Sequence, residues 1–285
     1  MPLRIFNNLS SVIAQNRLDV NNRNLGEAIS RIASGNRLTG SKVNAAEKAT
    51  SELLRADTRA LRQASKNLND GISLINVAES GLNEQSGILI RLKEILAIAN
   101  GPVGQSERDT LQLEINTLRE EFNRIANTTE FNGQKLLNGD LASSVVTNQH
   151  VIITVGLDSN ASSQIDLNSA VNIASTNTEN LGLDGVSAST FDSTTDSLSI
   201  VEEALDIING YRARIGATQN RFTRALNTLN VSIENLNAAN SVIQDAHIAE
   251  ELADLTKQLL LVRSSAAMIG QANLVPEGVL LLLQQ

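Results

Sequence analysis

The sequence predicts a mainly α-helical chain: an elongated rod of long antiparallel coiled-coil-like helices, with a paired N/C-terminal helical segment and a small β-hairpin/loop insert. Three observations predict it. Large apolar residues recur at every seventh position over two long stretches. Only 2% of the 285 residues are aromatic, so the apolar load falls on Leu, Ile, Val and Ala rather than on the rings that fill rounded cores. There are three prolines, Pro2, Pro102 and Pro276, which leaves long intervals where a helix can run unbroken.

The elements follow in chain order. Within residues 1–40, Leu18, Leu25 and Ile32 lie seven apart, with Ala28 and Ile29 filling in. The next seam is longer: Leu61, Leu68, Ile75, Leu82, Leu89 and Leu96 keep the same spacing. Three positions on come Ala64, Gly71, Ala78, Gln85, Leu92 and Ala99, a mostly small row that lets a neighbouring helix approach closely. Gly101-Pro102 ends this helix, because a flexible residue precedes one that cannot continue the pattern. A shorter helix starts near Ser106, with Asp109 in a capping-box-like position and Leu111, Ile115, Leu118, Phe122 and Ile125 as its apolar stripe. After so brief a connection it is expected to fold back antiparallel on the first.

Between residues 141 and 196 the periodicity fades into Ser, Thr, Asn and Asp. Val151, Ile152, Ile153 and Val155 read as a strand that Gly156 to Asn160 could turn into a hairpin. Ser187, Ser189, Thr190, Ser193, Thr194, Thr195 and Ser197 read as loop. This insert is expected to be short and surface-exposed. The last long seam follows, with Val201, Ile208, Ile215, Phe222, Leu229, Leu236 and Ile243 at intervals of seven. At about 1.5 Å per residue that helix is roughly 65 Å long, which predicts an elongated molecule. The expected rod core is Leu61, Leu68, Ile75, Leu82, Leu89, Ile208, Ile215, Phe222 and Leu229.

The two ends form a matched pair. Ile248, Leu252, Leu255, Leu259, Val262, Ala266 and Ile269 keep the three-four rhythm of a helix. Residues 1–40 hold five Arg (Arg4, Arg17, Arg23, Arg31, Arg37) against Asp19 and Glu27, a net of +3. Residues 245–285 hold Asp245, Glu250, Glu251, Asp254 and Glu277 against Lys257 and Arg263, a net of −3. Amphipathic segments of opposite charge pair antiparallel, with electrostatics setting partner and register. So slender a pair leaves apolar surface wet, which points to partners from other copies. Leu18, Leu25, Ile32, Leu252, Leu255, Leu259, Val262 and Ile269 are the expected assembly residues.

Little in the sequence speaks of chemistry. A net charge of −8 argues against nucleic acid, which needs a positive footprint. No apolar run approaches the roughly 20 residues of a membrane span. Zero cysteines exclude disulfides and cysteine metal sites. His150 and His247 lie far apart, and no H-E-x-x-H, phosphate-loop or G-x-S-x-G pattern occurs. The paired Glu202-Glu203 and Glu250-Glu251 read as solvated helix faces. No catalytic residue, metal or cofactor is expected.

Several ordered motifs resemble the bacterial flagellins. They include Arg4-Ile5-Phe6-Asn7-Asn8, Arg31-Ile32-Ala33-Ser34-Gly35-Asn36-Arg37-Leu38, Asn69-Asp70-Gly71-Ile72-Ser73-Leu74 and Ala78-Glu79-Ser80-Gly81-Leu82-Asn83-Glu84. Thr129-Glu130-Phe131-Asn132-Gly133-Gln134-Lys135-Leu136-Leu137, Ile215-Gly216-Ala217-Thr218-Gln219-Asn220-Arg221-Phe222, Leu255-Thr256-Lys257 and Gln271-Ala272-Asn273 extend the resemblance over roughly residues 1–140 and 197–285. The chain departs from the family at Val43-Asn44-Ala45-Ala46-Glu47, where an acidic D-D-A-A-G stretch is usual, and at Pro276-Glu277-Gly278 and Arg263.

The resemblance implies a secreted homopolymer of the extracellular flagellum, exported unfolded through the type III apparatus and assembled beneath the distal cap for motility. It implies a terminal inner-tube domain (1–40 plus 245–285), a helical rod domain with a hairpin (41–140 plus 197–244), and a variable Ser/Thr-rich insert (141–196). Its implied partners are other subunits, an export chaperone at the C-terminal segment, and the cap and hook-junction proteins. Arg91-Leu92-Lys93-Glu94-Ile95 and Leu111 to Leu118 resemble segments by which some flagellins engage a Toll-like receptor, making Arg91, Glu114 and Leu118 the residues to watch; the run from Arg91 to Gly101 is one residue short of the usual pattern. A hook–filament junction protein, with similar ends and the same export route, is the alternative reading.

Overall fold

A computed structural model describes residues 8–39, 44–158 and 160–283, with side chains described to Leu274. Arg4 to Asn7, Val43 and Ser159, and the side chains of Pro276 and Glu277, lie outside the described residues. The chain divides into two compact units, residues 1–58 with 234–285 and residues 59–233. In order the elements are α1 (Leu9–Ser34), α2 (Ala45–Ala99), α3 (Gln105–Thr128), β1 (Glu130–Phe131), β2 (Gln134–Lys135), β3 (Ile152–Thr154), β4 (Gln164–Asp166), α4 (Leu167–Val171), α5 (Phe191–Gln244) and α6 (Ile248–Leu283).

In the unit 59–233, α2 and α5 run antiparallel. Arg212 Nε donates to Glu79 Oε1 at 2.8 Å, Gln219 Nε2 to Asn76 Oδ1 at 2.9 Å, and Lys93 Nζ pairs with Glu202 Oε1 at 2.9 Å. Leu61, Leu68, Ile75, Leu82, Leu89, Ile208, Ile215, Phe222 and Leu229 are all buried, none more than 6% exposed. α3 returns antiparallel along α2, joined by Arg91 to Glu114 and by Gln85, whose buried Nε2 donates to Phe122 O and Thr176 O, both at 3.3 Å.

Two helix starts differ from the sequence expectation. α3 begins at Gln105 behind Gly104, which makes no side-chain cap bond, so Ser106 and Asp109 form no capping box; Asp109 instead accepts from Gln105 Nε2 at 3.0 Å. α5 begins at Phe191, so Ser193 to Ser197 are helical rather than loop. The cause is local. Thr190 N donates to Ser193 Oγ at 3.0 Å and Ser193 N to Thr190 Oγ1 at 3.2 Å, a reciprocal cap with Ser in the place Glu or Gln usually takes.

The insert also differs from the exposed excursion its composition suggests. β3 and β4 form the expected hairpin, in the register Ile152↔Asp166, Ile153↔Ile165 and Thr154↔Gln164. Its apolar side chains turn inward: Leu141, Ile153, Ile165, Leu167, Val171, Ile173, Leu181 and Leu183 are buried. Asn168, fully buried, knits the loop by accepting from Val151 N at 2.9 Å and donating to Asp140 O at 2.8 Å and Ala142 O at 3.1 Å. Polar residues in this segment satisfy backbone, which a periodicity search does not see.

The small row of α2 admits side chains rather than only a second helix. At Gly71 a Cβ would collide with Ile153 Cδ1, and at Gly81, off that row on the same helix, a Cβ would lie 2.8 Å from both Leu137 Cδ1 and Thr129 Oγ1. Thr129 and Leu137 flank the β1–β2 hairpin, whose two-residue turn is Asn132 (φ 51°) and Gly133 (φ 81°), as a tight right-twisted hairpin requires. Gly87 on the same helix has open space around it. Gly81→Ala should therefore lower thermal stability by about 1–2 kcal/mol, crowding outweighing the helix-propensity gain. Gly87→Ala should raise it by up to about 1 kcal/mol. Thermal unfolding of both variants beside the parent checks the pair, and a stabilised Gly81→Ala would contradict the close hairpin contact.

Candidate functional site

The unit formed by residues 1–58 with 234–285 is built on α1 and α6. Asn8 caps α1, its side chain accepting from Ser11 N at 3.2 Å, and Gly35 ends it in the left-handed conformation at φ 65°. The chain then pairs backbone to backbone with the stretch before α6: Arg37 N donates to Gln244 O at 2.8 Å and Ala246 N to Gly35 O at 2.9 Å. From there α1 and α6 lie antiparallel as far as Asn8, whose Nδ2 donates to Ala272 O at 2.8 Å.

Polar contacts mark the seam between them. Arg31 Nε donates to Glu251 Oε2 at 2.8 Å and its Nη2 to Asp254 Oδ2 at 3.2 Å. Asn21 Nδ2 donates to Ser265 Oγ at 2.8 Å. Leu18, Leu25 and Ile32, and Leu255, Val262 and Ile269, share these faces and are half-buried. Leu252 and Leu259 do not: they are 48% and 40% exposed. The complementary end charges were legible in sequence, whereas Asn21, Gln258 and Ser265 were not singled out, although they sit on the same three-four rhythm as the leucines.

Burial within the pair is shallow. Among the described residues only Ala28 of α1 and Gln258 of α6 are buried. Leu9, Val12, Ile13, Val20 and Ile29 on α1, and Ile248, Leu252, Leu259, Leu260, Leu261, Met268 and Leu274 on α6, are exposed. Enclosing a Leu or Ile is worth about 1.5–3 kcal/mol, so this surface represents a large unrealised gain. Exposed apolar surface on this scale marks a protein interface.

The remaining predicted residues lie in the other unit. Arg91 donates through Nε and Nη2 to Glu114 Oε1 at 2.9 and 2.8 Å and through Nη1 to Glu94 Oε2 at 3.1 Å; Leu118 is half-buried. A polar recess of about 300 Å³ is lined by Asn123, Asn127, Asn177, Thr178, Glu179 and Asp184. Arg119 donates to Asp184 at 2.6 Å beside it. Among the described residues no group of three or more His, Cys, Asp or Glu could hold a metal ion, and no helix is long and apolar enough to cross a membrane.

His150 is the one histidine with a built environment. Its Nδ1 faces Asp166 Oδ2 at 2.7 Å and its Nε2 faces Val145 O at 2.9 Å. Both partners are acceptors, so the doubly protonated ring satisfies both and the neutral ring only one. Ser169 Oγ donates to Asp166 Oδ2 at 2.6 Å and not to the ring, so no nucleophile stands beside a free imidazole nitrogen. The Asp166 bond, then the Val145 carbonyl, raise the His150 pKa above its ordinary value. Burial pushes the Asp166 carboxyl up, but the bonds from Ser169 and His150 together outweigh it and hold the pKa below its usual value.

A histidine whose pKa rises on folding contributes stability that is fully present below the unfolded value of about 6.5 and is lost as pH rises through the folded value. Asp166 gives the opposite dependence at the acid end, its share fading only as pH falls through its depressed value. The stability difference between the parent and His150→Gln should accordingly shrink as pH is raised from 5.5 to 8.5, read by thermal unfolding. A difference that stays constant with pH would show that the ring is held neutral.

Paired terminal helices, a heptad-built core and outward apolar faces define a self-assembling structural subunit. Residues 5–142 match the bacterial flagellin N-terminal helical region and residues 198–283 the bacterial flagellin C-terminal helical region. The chain is 36% identical to a flagellin of Bacillus subtilis (strain 168), across 99% of this chain and 100% of that one. It is 34% identical to the flagellar filament 30.7 kDa core protein of Treponema maltophilum, across 98% and 99%. The Treponema pallidum flagellin FlaB1 is 33% identical, across 98% and 99%. A solved flagellar hook-associated protein from Vibrio parahaemolyticus shares the fold at a TM-score of 0.57 and 15% identity, over 70% of this chain and 97% of that chain. The chain belongs to the bacterial flagellin family: it is a structural subunit that polymerises with other flagellin subunits into the flagellar filament that serves motility. Nothing favours the hook–filament junction alternative, since the family models and the full-length relatives are those of filament proteins.

Proposed function

We propose that the outward apolar faces of α1 and α6 are the surfaces that join copies in the filament, with Leu252 and Leu259 central to them. The observation that carries this reading is the exposure of twelve large apolar residues on a helix pair that, among its described residues, buries only Ala28 and Gln258. Leu18, Leu25, Ile32, Leu255, Val262 and Ile269 act one step back, holding α1 on α6. Residues 1–40 with 245–285 form the inner-tube domain, 41–140 with 197–244 the rod, and 141–196 the variable insert.

The subunit works by assembly alone and carries no enzymatic step. It is secreted through the flagellar export route, where an export chaperone covers the C-terminal helix, and it meets the cap and hook-junction proteins at the ends of the filament. Arg91, Glu114 and Leu118 serve first in packing between subunits, which the ion pairs of Arg91 with Glu114 and Glu94 suit, and in some animal hosts they form the segment a Toll-like receptor engages.

Truncating a well-buried Leu to Ala costs about 2–5 kcal/mol. If Leu252 and Leu259 become buried only between copies, even the low end raises the critical concentration roughly thirtyfold. Leu252→Ala and Leu259→Ala monomers should unfold at near-parental temperature and polymerise poorly, while Ser189→Ala, exposed before α5, should polymerise normally. Pelletable filament measured against protein concentration checks this. Leucine variants that assemble as readily as Ser189→Ala would place the joining surface elsewhere.

A further inference from the structure

Two rows of like charge stand without partners on the unit 59–233. On α2, Arg59, Arg62 and Lys66 follow the three-four rhythm of one helix face, turned away from the buried Leu61, Ala64 and Leu68. On α5, Asp192, Asp196, Glu203 and Asp206 share another such face, turned away from the buried Thr194, Val201, Ala204 and Ile208. Every member of both rows is exposed, and among the described residues none of these side chains makes an ion pair or a hydrogen bond.

Other charges of the same unit behave differently. Arg91, Lys93, Arg119, Arg124 and Arg212 each meet a carboxylate, and Lys93 takes Glu202 while Glu203 beside it is left out. Like charges at three- and four-residue spacing repel along a helix, so each row costs the free monomer stability. Solubility asks for net charge, which scattered residues supply as well as rows do. Neither monomer stability nor solubility therefore explains the rows.

The two rows cannot neutralise each other within one copy. The Lys93–Glu202 pair sets Glu203 level with Lys93. Lys66 then lies roughly 40 Å away along α2, at about 1.5 Å per residue, against a screening length of about 8 Å at physiological ionic strength. Two copies shifted along their helix axes can bring opposite rows side by side. The rows differ in sign, element and position, so a copy that offers its basic row to one neighbour keeps its acidic row for the next. Such a heterologous contact is not used up in a dimer and continues from copy to copy, as an open helical polymer needs.

We propose that the basic row of α2 in one copy docks against the acidic row of α5 in the next, a second joining contact carried by the unit 59–233. It stands on charge complementarity and does not depend on the outward apolar faces of α1 and α6. Its chief effect is to select the neighbour's position, since a copy set at another offset meets like charge or none.

Charge exchange in the full-length chain tests this. Arg62→Glu with Lys66→Glu reverses the basic row, and Asp196→Lys with Glu203→Lys reverses the acidic row. Each reversed monomer should unfold near the parental temperature, and its critical concentration for polymerisation should rise at least about tenfold, because like charges then meet between copies. The chain carrying all four substitutions should return to within about threefold of the parent. The gap between the reversed variants and the parent should narrow as salt is raised from about 0.05 to about 0.5 M. An unchanged critical concentration in either reversed variant overturns the proposal and leaves that row to solvent or to a different partner. A fourfold variant that assembles no better than the two reversed ones overturns it as well. Rescue by the exchange alongside normal polymerisation of Leu252→Ala sustains this contact and counts against the outward apolar faces.

Discussion

A pair of helices has one seam, and every apolar residue off that seam faces water until something else covers it. This constraint governs α1 and α6. The seam takes Leu18, Leu25, Ile32, Leu255, Val262 and Ile269 together with Asn21, Arg31, Glu251, Asp254, Gln258 and Ser265, so the pair is aligned more than it is stabilised. The larger share of its hydrophobic gain stands outside, on residues such as Val12, Ile13, Leu260 and Met268. On the proposed reading assembly is the completion of a fold, with neighbours supplying the burial that one chain leaves undone.

The unit of residues 59–233 is organised the other way. Both rows of the α2 heptad are buried, from Leu61 and Ala64 through to Leu96 and Ala99, and α3, α5, the two hairpins and the insert enclose them. Polar groups inside this unit are bonded to backbone, as Asn168 and the Gln85 amide nitrogen show. Such a unit keeps its structure without a partner, and a subunit that must exist first as a monomer needs one part of this kind.

The two halves of this division were unequally legible in sequence. A period of seven in Leu and Ile follows directly from the geometry of packed helices, so α2 and α5 could be read from it, although the α5 seam is buried from Val201 to Leu229 and only half-buried at Leu236 and Ile243. The end of α2 before Gly101-Pro102 and the opposite charges of the two termini were equally plain. The start of α5 was not, because Thr190 and Ser193 cap each other through hydroxyls, and a Ser/Thr cluster looks the same as a loop or as a cap. The insert was misjudged for a related reason: its buried aliphatic residues, such as Leu141, Ile165, Ile173 and Leu183, follow irregular backbone with no fixed period. The β1–β2 hairpin did carry a readable signal, Asn132-Gly133, in the turn type that demands positive φ. In the assembly site periodicity located the helix faces but not their division of labour, because Leu255 and Leu259 differ by one turn in sequence while only Leu259 escapes the seam.

The most direct measurement is amide hydrogen exchange on the same chain as monomer and as filament. The account predicts weak protection in the monomer across α1 and across α6 from Ile248 to Leu274, alongside strong protection in α2 from Leu61 to Ala99 and in α5 from Val201 to Leu229. It predicts that polymerisation raises protection in α1 and α6 and leaves the other segments nearly as they were. Strong protection of α1 and α6 in the monomer, unchanged in the filament, would contradict it: the pair would then hold itself together, and its outward residues would not be what assembly completes.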